Sequence, residues 1–277
     1  MNMHIANDLL IEETECRLLL EGLHYCYGFD FRDYAPAVMR QRIWECVHAE
    51  EVGTISGLQD KALHDGPCLD RLLCRLAPRK PSMFAPPEFY LAFRAVVIPL
   101  LRTYAFLDIW VPACSTGEDV YALAMMLEEQ KLGPRVRIYA TDIAEAMYAD
   151  AAHGRFALSK LSACEGNYRD AGGIRSLNDY YRPEGEWGVM LPAMRNQIVF
   201  SEHSLATDGC FQEFQMIVCR HTLSLFNDWL RDRAHSLFRE SLCRFGMLGL
   251  DEREVTAKKE EQPHYEDMGR GWYRKVY

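Results

Sequence analysis

Along this chain the apolar positions keep two different rhythms. Over residues 1–77 they recur every three or four places, so that Leu9, Leu10, Cys16, Leu19, Leu20 and Leu23 share one helical face. Asn7 and Asp8 precede that face, and Gly28 stands where a helix-ending glycine belongs. A second helix is predicted from Pro36 or Ala37. Its Arg40 and Arg42 are set apart from Ile43 and Val47, so both arginines are expected to point outward.

Further along, the rhythm changes to brief apolar runs bounded by turn residues, the pattern of buried parallel strands. Ile109, Trp110 and Val111 form the first run, ended by Pro112. Residues 136–142, 197–200, 214–219 and 245–250 form the others. Between them lie predicted helices. One spans residues 89–104 with an interruption near Pro99, and a second starts at about Val120, with Tyr121, Leu123, Ala124, Met125 and Leu127 turning one face to a sheet. A third runs to Ala152 with Gly154 as its stop, and a fourth covers residues 228–242. Alternating strands and helices of this kind predict an α/β fold with a parallel sheet. Residues 155–196 break the alternation and read as a loop-rich insertion, with Phe156, Trp187, Val189 and Leu191 as possible short strands. Pro78, Pro81, Pro86 and Pro87 forbid a regular helix, so residues 78–88 read as a linker between a helical N-terminal domain (1–77) and an α/β domain (89–277).

The chemistry gathers where the first strand ends. Ala113, Cys114, Ser115, Thr116 and Gly117 are all small, so a ligand can approach their backbone, and the N–H groups opening the next helix face that ligand. Ser115 or Thr116 is placed to cap the helix. Asp142 ends the second strand, where in doubly wound folds an acid hydrogen-bonds the ribose hydroxyls of a bound nucleotide. The spacing at the first turn is not GxGxxG, which argues against a dinucleotide oxidoreductase.

Composition narrows the picture. The 277 residues carry a net charge of −9, without the basic footprint that nucleic-acid binding requires. The N-terminus has no basic stretch leading into an apolar core, and no apolar run reaches the roughly eighteen residues of a membrane span. A cytoplasmic protein without membrane insertion is expected. Ten cysteines occur but no CxxC pair, so no metal site is expected. The charged KKEEQ run near the C-terminus reads as solvated surface.

Several of these stretches also carry a family pattern. ACSTGED (113–119), ATDI (140–143), HSL (203–205), IVCRHTLSLF (217–226) and FGMLGL (245–250), with YGFDFRDY and RQRI upstream, resemble the CheR family of chemoreceptor glutamate methyltransferases. The usual family forms are GCSTGEE, ATDID, a strand ending in NL, and CRNVLIYF. The resemblance covers about residues 27–250. It implies a class I, Rossmann-like methyltransferase domain behind a small all-helical domain, S-adenosyl-L-methionine as cofactor, and a chemoreceptor or other signalling protein as partner. By the same resemblance the insertion is a β-subdomain, which in some members grips a receptor tether.

Position by position, the resemblance implies that Ala113, Ser115, Thr116, Gly117, Glu118, Asp142, Ser204, Leu205, His221 and Thr222 bind the cofactor. Glu118 would orient its polar portion and Asp142 its ribose. Arg40 and Arg42 would form a docking patch for acidic receptor helices, against the plainer reading of a solvated polar face. Five positions depart from the pattern. Ser204 and His221 stand where asparagines are usual, Leu225 replaces a tyrosine, and Ala85 and Pro81 replace an arginine and a threonine in the linker, where Phe84 is kept. A histidine at 221 is bulkier than the usual asparagine and can carry positive charge, which disfavours a nearby sulfonium. Two functions therefore stand open: a CheR-like protein-glutamate O-methyltransferase with a divergent pocket, or an inactive relative that binds a ligand or a signalling partner.

Overall fold

The computed structural model describes residues 2–77, 82–251 and 264–277. Pro81 and the KKEEQ run lie outside the described residues. Four helices come first: α1 (Asn2–Tyr27), α2 (Pro36–Ala49), α3 (Ile55–His64) and α4 (Gly66–Leu76). Gly28 ends α1 in a left-handed conformation, its N–H donating to the His24 carbonyl. Thr54 caps α3 through the Gly57 N–H.

A continuous helical stretch follows, made of α5 (Pro87–Ala92), a π-helical turn (Phe93–Val97) and α6 (Ile98–Leu101). The widened turn sits just before Pro99, whose missing N–H and bulky ring disturb the helical ladder. The sheet then builds from β1 (Leu107–Pro112), α7 (Glu118–Glu129), β2 (Val136–Asp142) and α8 (Glu145–Ala152). The insertion supplies β3 (Arg155–Ala157), α9 (Leu158–Asp170), β4 (Tyr181–Glu184) and β5 (Trp187–Met190). After it come α10 (Pro192–Arg195), β6 (Ile198–Glu202), β7 (Phe214–Val218), α11 (Asp228–Ser241), β8 (Leu242–Gly249), β9 (Tyr265–Gly269) and β10 (Trp272–Lys275).

The seven-stranded sheet has the order β6-β2-β1-β7-β8-β10-β9. Strands β6, β2, β1, β7 and β8 are parallel neighbours, and β10 runs antiparallel to both β8 and β9. This is the expected α/β, Rossmann-like class I architecture. The order reverses between β1 and β7, and ligands in open parallel sheets bind beyond the strand ends at such a switch point. Along β1 the side chains alternate: Ile109 and Val111 enter the core shared with α7, while Trp110 enters the core shared with α1–α4 and α11. The N-terminal helices thus pack on one face of the sheet.

Three features differ from the sequence reading. Helix α7 does not bury one face; every residue from Glu118 to Leu127 is buried. Its outer side is covered by the insertion, where the Glu129 carboxylate accepts hydrogen bonds from the hydroxyls of Tyr168 and Tyr180 and from Arg94. The insertion itself holds a helix, α9, and a three-stranded antiparallel sheet in the order β3-β5-β4. At the C-terminus β9 and β10 form a hairpin through Gly269, Arg270 and Gly271, all at positive φ. Trp272 anchors it, fully buried and stacked 4.6 Å from Phe89.

Candidate cofactor and acceptor site

The turn after β1 has an unusual backbone. Ala113, Ser115 and Gly117 have φ of 48°, 49° and 83°, all left-handed, a combination that concentrates at functional turns. Gly117 is required twice over: its φ suits glycine, and a Cβ there would lie 2.6 Å from that of Ala151. Neither Ser115 nor Thr116 caps α7. Gly117 is the cap residue, and Thr116 instead donates its hydroxyl to the Glu118 carboxylate at 2.5 Å.

The two residues expected to converge do so. The Ser115 N–H donates to Asp142 Oδ2 at 2.8 Å, and the Ile143 N–H donates to Oδ1 at 2.8 Å. The chain continues the register, with Cys114 N–H on the Thr141 carbonyl and His203 N–H on the Asp142 carbonyl. Asp142 is 2% exposed and lines a cavity with Ala113, His203 and Leu205.

The wall of that cavity comes from elsewhere. Phe31 and Tyr34, between α1 and α2, close it together with Phe226. Backbone bonds pin this strap: Ala35 N–H to the Leu225 carbonyl at 2.6 Å and Asn227 N–H to the Asp33 carbonyl at 2.8 Å. The Asn227 amide adds a bond to the Asp33 carboxylate at 2.9 Å. Burial, reinforced by the Asp142 charge, raises the Tyr34 phenol pKa, with Arg42 opposing. The space left is about 10 Å³, room for about one water molecule, whereas pockets for organic ligands run to about 300–1,000 Å³. The Asp142 carboxylate is an acceptor for ligand hydroxyls, and the space beside it in this structure is too small for a nucleoside.

A second cavity, of about 250 Å³, opens at the other end of the turn. Glu118 lines it with Ser82, Met83, Phe156, Lys160 and Cys164. Burial raises the Glu118 pKa against the Thr116 hydrogen bond and the charge of Lys160, whose Nζ lies 3.9 Å away.

The remaining sequence-predicted residues are dispersed. Ser204 folds onto its own turn, its N–H donating to the Asp208 carboxylate and its hydroxyl accepting from the Ala206 N–H. His221 sits at positive φ with Nδ1 2.7 Å from Asp251 Oδ2, and lines neither cavity. Burial works to raise the Asp251 pKa, but the His221 hydrogen bond and the Arg220 charge outweigh it and leave the pKa lowered. Thr222 is fully buried and bonds the Arg220 carbonyl.

Sequence reasoning missed Arg220. Its side chain is fully buried against Phe89 and reaches Asp119, Asp251, the Tyr90 hydroxyl and the Ala85 carbonyl. The only sequence signal was an arginine following a buried strand.

Of the two arginines expected to dock a partner, Arg40 is exposed, 3.9 Å from Glu12. Arg42 is not outward. It is 7% exposed, on the buried stripe of Met39, Ile43, Cys46 and Val47, and donates to the carbonyls of Leu76 and Ala77. The end of α4 leaves carbonyls unpaired, and a cation there is favoured by the helix dipole. Among the described residues no group of three or more His, Cys, Asp or Glu is placed to hold a metal, and no helix is long and apolar enough to cross a membrane.

Residues 83–270 match the family described as CheR methyltransferase, SAM binding domain. The chain is 40% identical over 242 residues to a Pseudomonas putida protein named Putative methyltransferase Cher3, covering 87% of this chain and 89% of that one. It is 28% identical over 223 residues to a Listeria monocytogenes protein named Chemotaxis protein methyltransferase, covering 80% and 82%. With the switch-point turn, the acid that meets it and this extent of match together, the chain belongs to the CheR family of S-adenosylmethionine-dependent methyltransferases.

Proposed function

We propose that the chain methylates side-chain carboxylates of a chemoreceptor or similar signalling protein, and that the described structure is the closed form of its cofactor cleft. The observation that carries this reading is the Ser115–Asp142 contact. An acid from β2 already holds the backbone N–H of the turn after β1, at the point where a ribose would be received. On this reading the ribose hydroxyls bind Asp142, Ala113 and Leu205 wall the cleft, and Ser115, Thr116 and Gly117 present the turn. Glu118 orients the polar end. When bound, the cofactor supplies a methyl group on a sulfonium sulfur. The protein's share is alignment and a dry pocket, since an acceptor carboxylate is already ionised near neutral pH and no base has to act on it. Arg40, not Arg42, is the docking cation of this proposal, with residues 1–77 as the partner-facing domain and 89–277 as the transfer domain.

A binding-only role is the second reading, favoured by the volume of about 10 Å³ beside Asp142. Calorimetry with S-adenosylhomocysteine, followed by labelled-methyl transfer to receptor fragments, separates the two. Saturable micromolar binding with transfer is expected. Binding without transfer supports the second reading, and no heat at millimolar ligand removes the cofactor role from both.

A further inference from the structure

Two separate pieces of chain line the cavity of about 250 Å³: Glu118, from the first turn of α7, and the linker residues Ser82 and Met83. The linker side lies in a turn, with no helix or strand to hold it. Within that turn the Ala85 N–H donates to the Ser82 carbonyl at 3.0 Å, and Phe84 has a φ of 62°. A bulky residue keeps a left-handed backbone only where its surroundings fix it. Two restraints do so here. The Phe84 ring is fully buried against the rings of Tyr90 and Tyr168, with centroids 5.4 and 5.1 Å away, and the Ala85 carbonyl accepts from Arg220 Nη2.

The same guanidinium serves the other side of the cavity. Nη1 donates to Asp119, the neighbour of Glu118 in α7, and to the Tyr90 hydroxyl, which itself donates to Asp119 at 2.7 Å. Nε donates to Asp251. The place of Arg220 is set by the sheet, because it follows β7 and the preceding Cys219 N–H donates to the Gly249 carbonyl. A planar fork with donors on three nitrogens holds a backbone carbonyl and two carboxylates at once, which a single ammonium group does not. Arg220 lines neither cavity, so any effect on a ligand passes through the residues it holds.

We propose that Arg220 is a positioning residue for the cofactor: it fixes the turn at 82–85 and the first turn of α7 in one arrangement, so that Glu118 meets the cofactor's polar end against a set wall. The inference rests on the methyltransferase reading above, in which Glu118 orients that end, and adds to it the residue that sets the spacing.

The test uses the full chain, its R220K variant and the R220M/D119L double variant, each shown to be folded by urea denaturation at the temperature used. Two ligands are titrated by calorimetry: S-adenosylhomocysteine, and 5′-methylthioadenosine, which keeps the nucleoside and the sulfur but lacks the amino-acid end. R220K keeps a cation beside Asp119 without holding Ala85 and Asp251 as well. Its dissociation constant for S-adenosylhomocysteine is expected to rise about tenfold, the low end of what one charge-assisted hydrogen bond is worth. R220M/D119L weakens that ligand at least as much, although it removes the guanidinium together with the more deeply buried of its carboxylate partners. Affinity for methylthioadenosine stays unchanged in both. A residue that only packs the core would lower both affinities in parallel, and that result, or unchanged affinity for both ligands, overturns the inference and leaves the methyltransferase reading standing. A parent chain that binds neither ligand overturns the cofactor reading and this inference with it.

Discussion

Arg220 Nη1 lies 2.8 Å from Asp119 Oδ1, a contact in which the arginine side chain is wholly cut off from solvent. The same guanidinium donates to the Ala85 carbonyl at 2.9 Å and to Asp251 at 3.1 Å, and stands 4.3 Å over the Phe89 ring. One side chain thereby joins the linker, the start of α7 and the end of β8. Removing it takes the counter-charge from Asp119, to which the Tyr90 hydroxyl also donates, and breaking a buried pair on one side costs about 3–5 kcal/mol. Arg220→Met should therefore lower the urea-unfolding free energy by that amount. Pairing it with Asp119→Leu should recover part of the loss, because the more deeply buried of the two carboxylates that lost a counter-charge is then gone.

Asp142 holds the turn after β1 and, in the function proposed above, receives the ribose. Asp142→Ala frees the N–H groups of Ser115 and Ile143, and each charge-assisted bond is worth about 1.5–3 kcal/mol. A lower melting temperature is expected. If the same oxygens receive the ribose, the dissociation constant for S-adenosylhomocysteine rises about tenfold or more. Calorimetry under conditions where the variant remains folded checks this, and an unchanged constant rejects the ribose assignment.

Tyr34 closes the cavity that Asp142 lines, so its removal should act oppositely on stability and on binding. Tyr34→Ala deletes a buried ring packed 4.9 Å from Phe226, at a cost of about 3–5 kcal/mol for a large aromatic. If strap and cofactor compete for one place, the variant binds S-adenosylhomocysteine more tightly than the parent, since less structure has to be displaced. Weaker binding in a folded Tyr34→Ala protein would show that the ring is part of the binding surface.

Acid sensitivity is predicted from the helical region. Arg71 and Lys61, by hydrogen bonds and then by charge, hold the Glu50 pKa down at about 2 against an ordinary 4.5. A carboxyl depressed on folding contributes stability that is complete above its unfolded pKa and lost as pH falls through the folded one. The melting temperature of the parent should thus decline between about pH 4.5 and 2 more steeply than that of Glu50→Gln. Parallel curves would mean that Glu50 contributes nothing to the acid limb.

Much of this molecule is written in local sequence. Ile109–Val111 as an apolar run, the small residues 113–117, the acid at 142 and the glycines at 28 and 154 each fix backbone states through sterics and hydrogen bonding within a few residues. Such signals need no knowledge of distant parts of the chain, and they located the sheet and the turn at its switch point. The weak strands β9 and β10 left no comparable trace, because their stability comes from pairing with β8 and from Trp272 packing on Phe89.

What only the tertiary structure decided is which surfaces meet. Arg42 looks like a surface residue until the end of α4 is laid beside it, and Arg220 looks ordinary until Ala85, Asp119 and Asp251 are brought around it. The strap of Phe31 and Tyr34 over Asp142 belongs to the same class, joining residues more than a hundred positions apart. Periodicity records how a segment divides between inside and outside, and it carries no information about the partner on the inside. The turn after β1 and the acid that meets it were therefore legible from the chain alone, whereas the aromatic strap beside that acid and the burial of Arg42 and Arg220 emerged from packing.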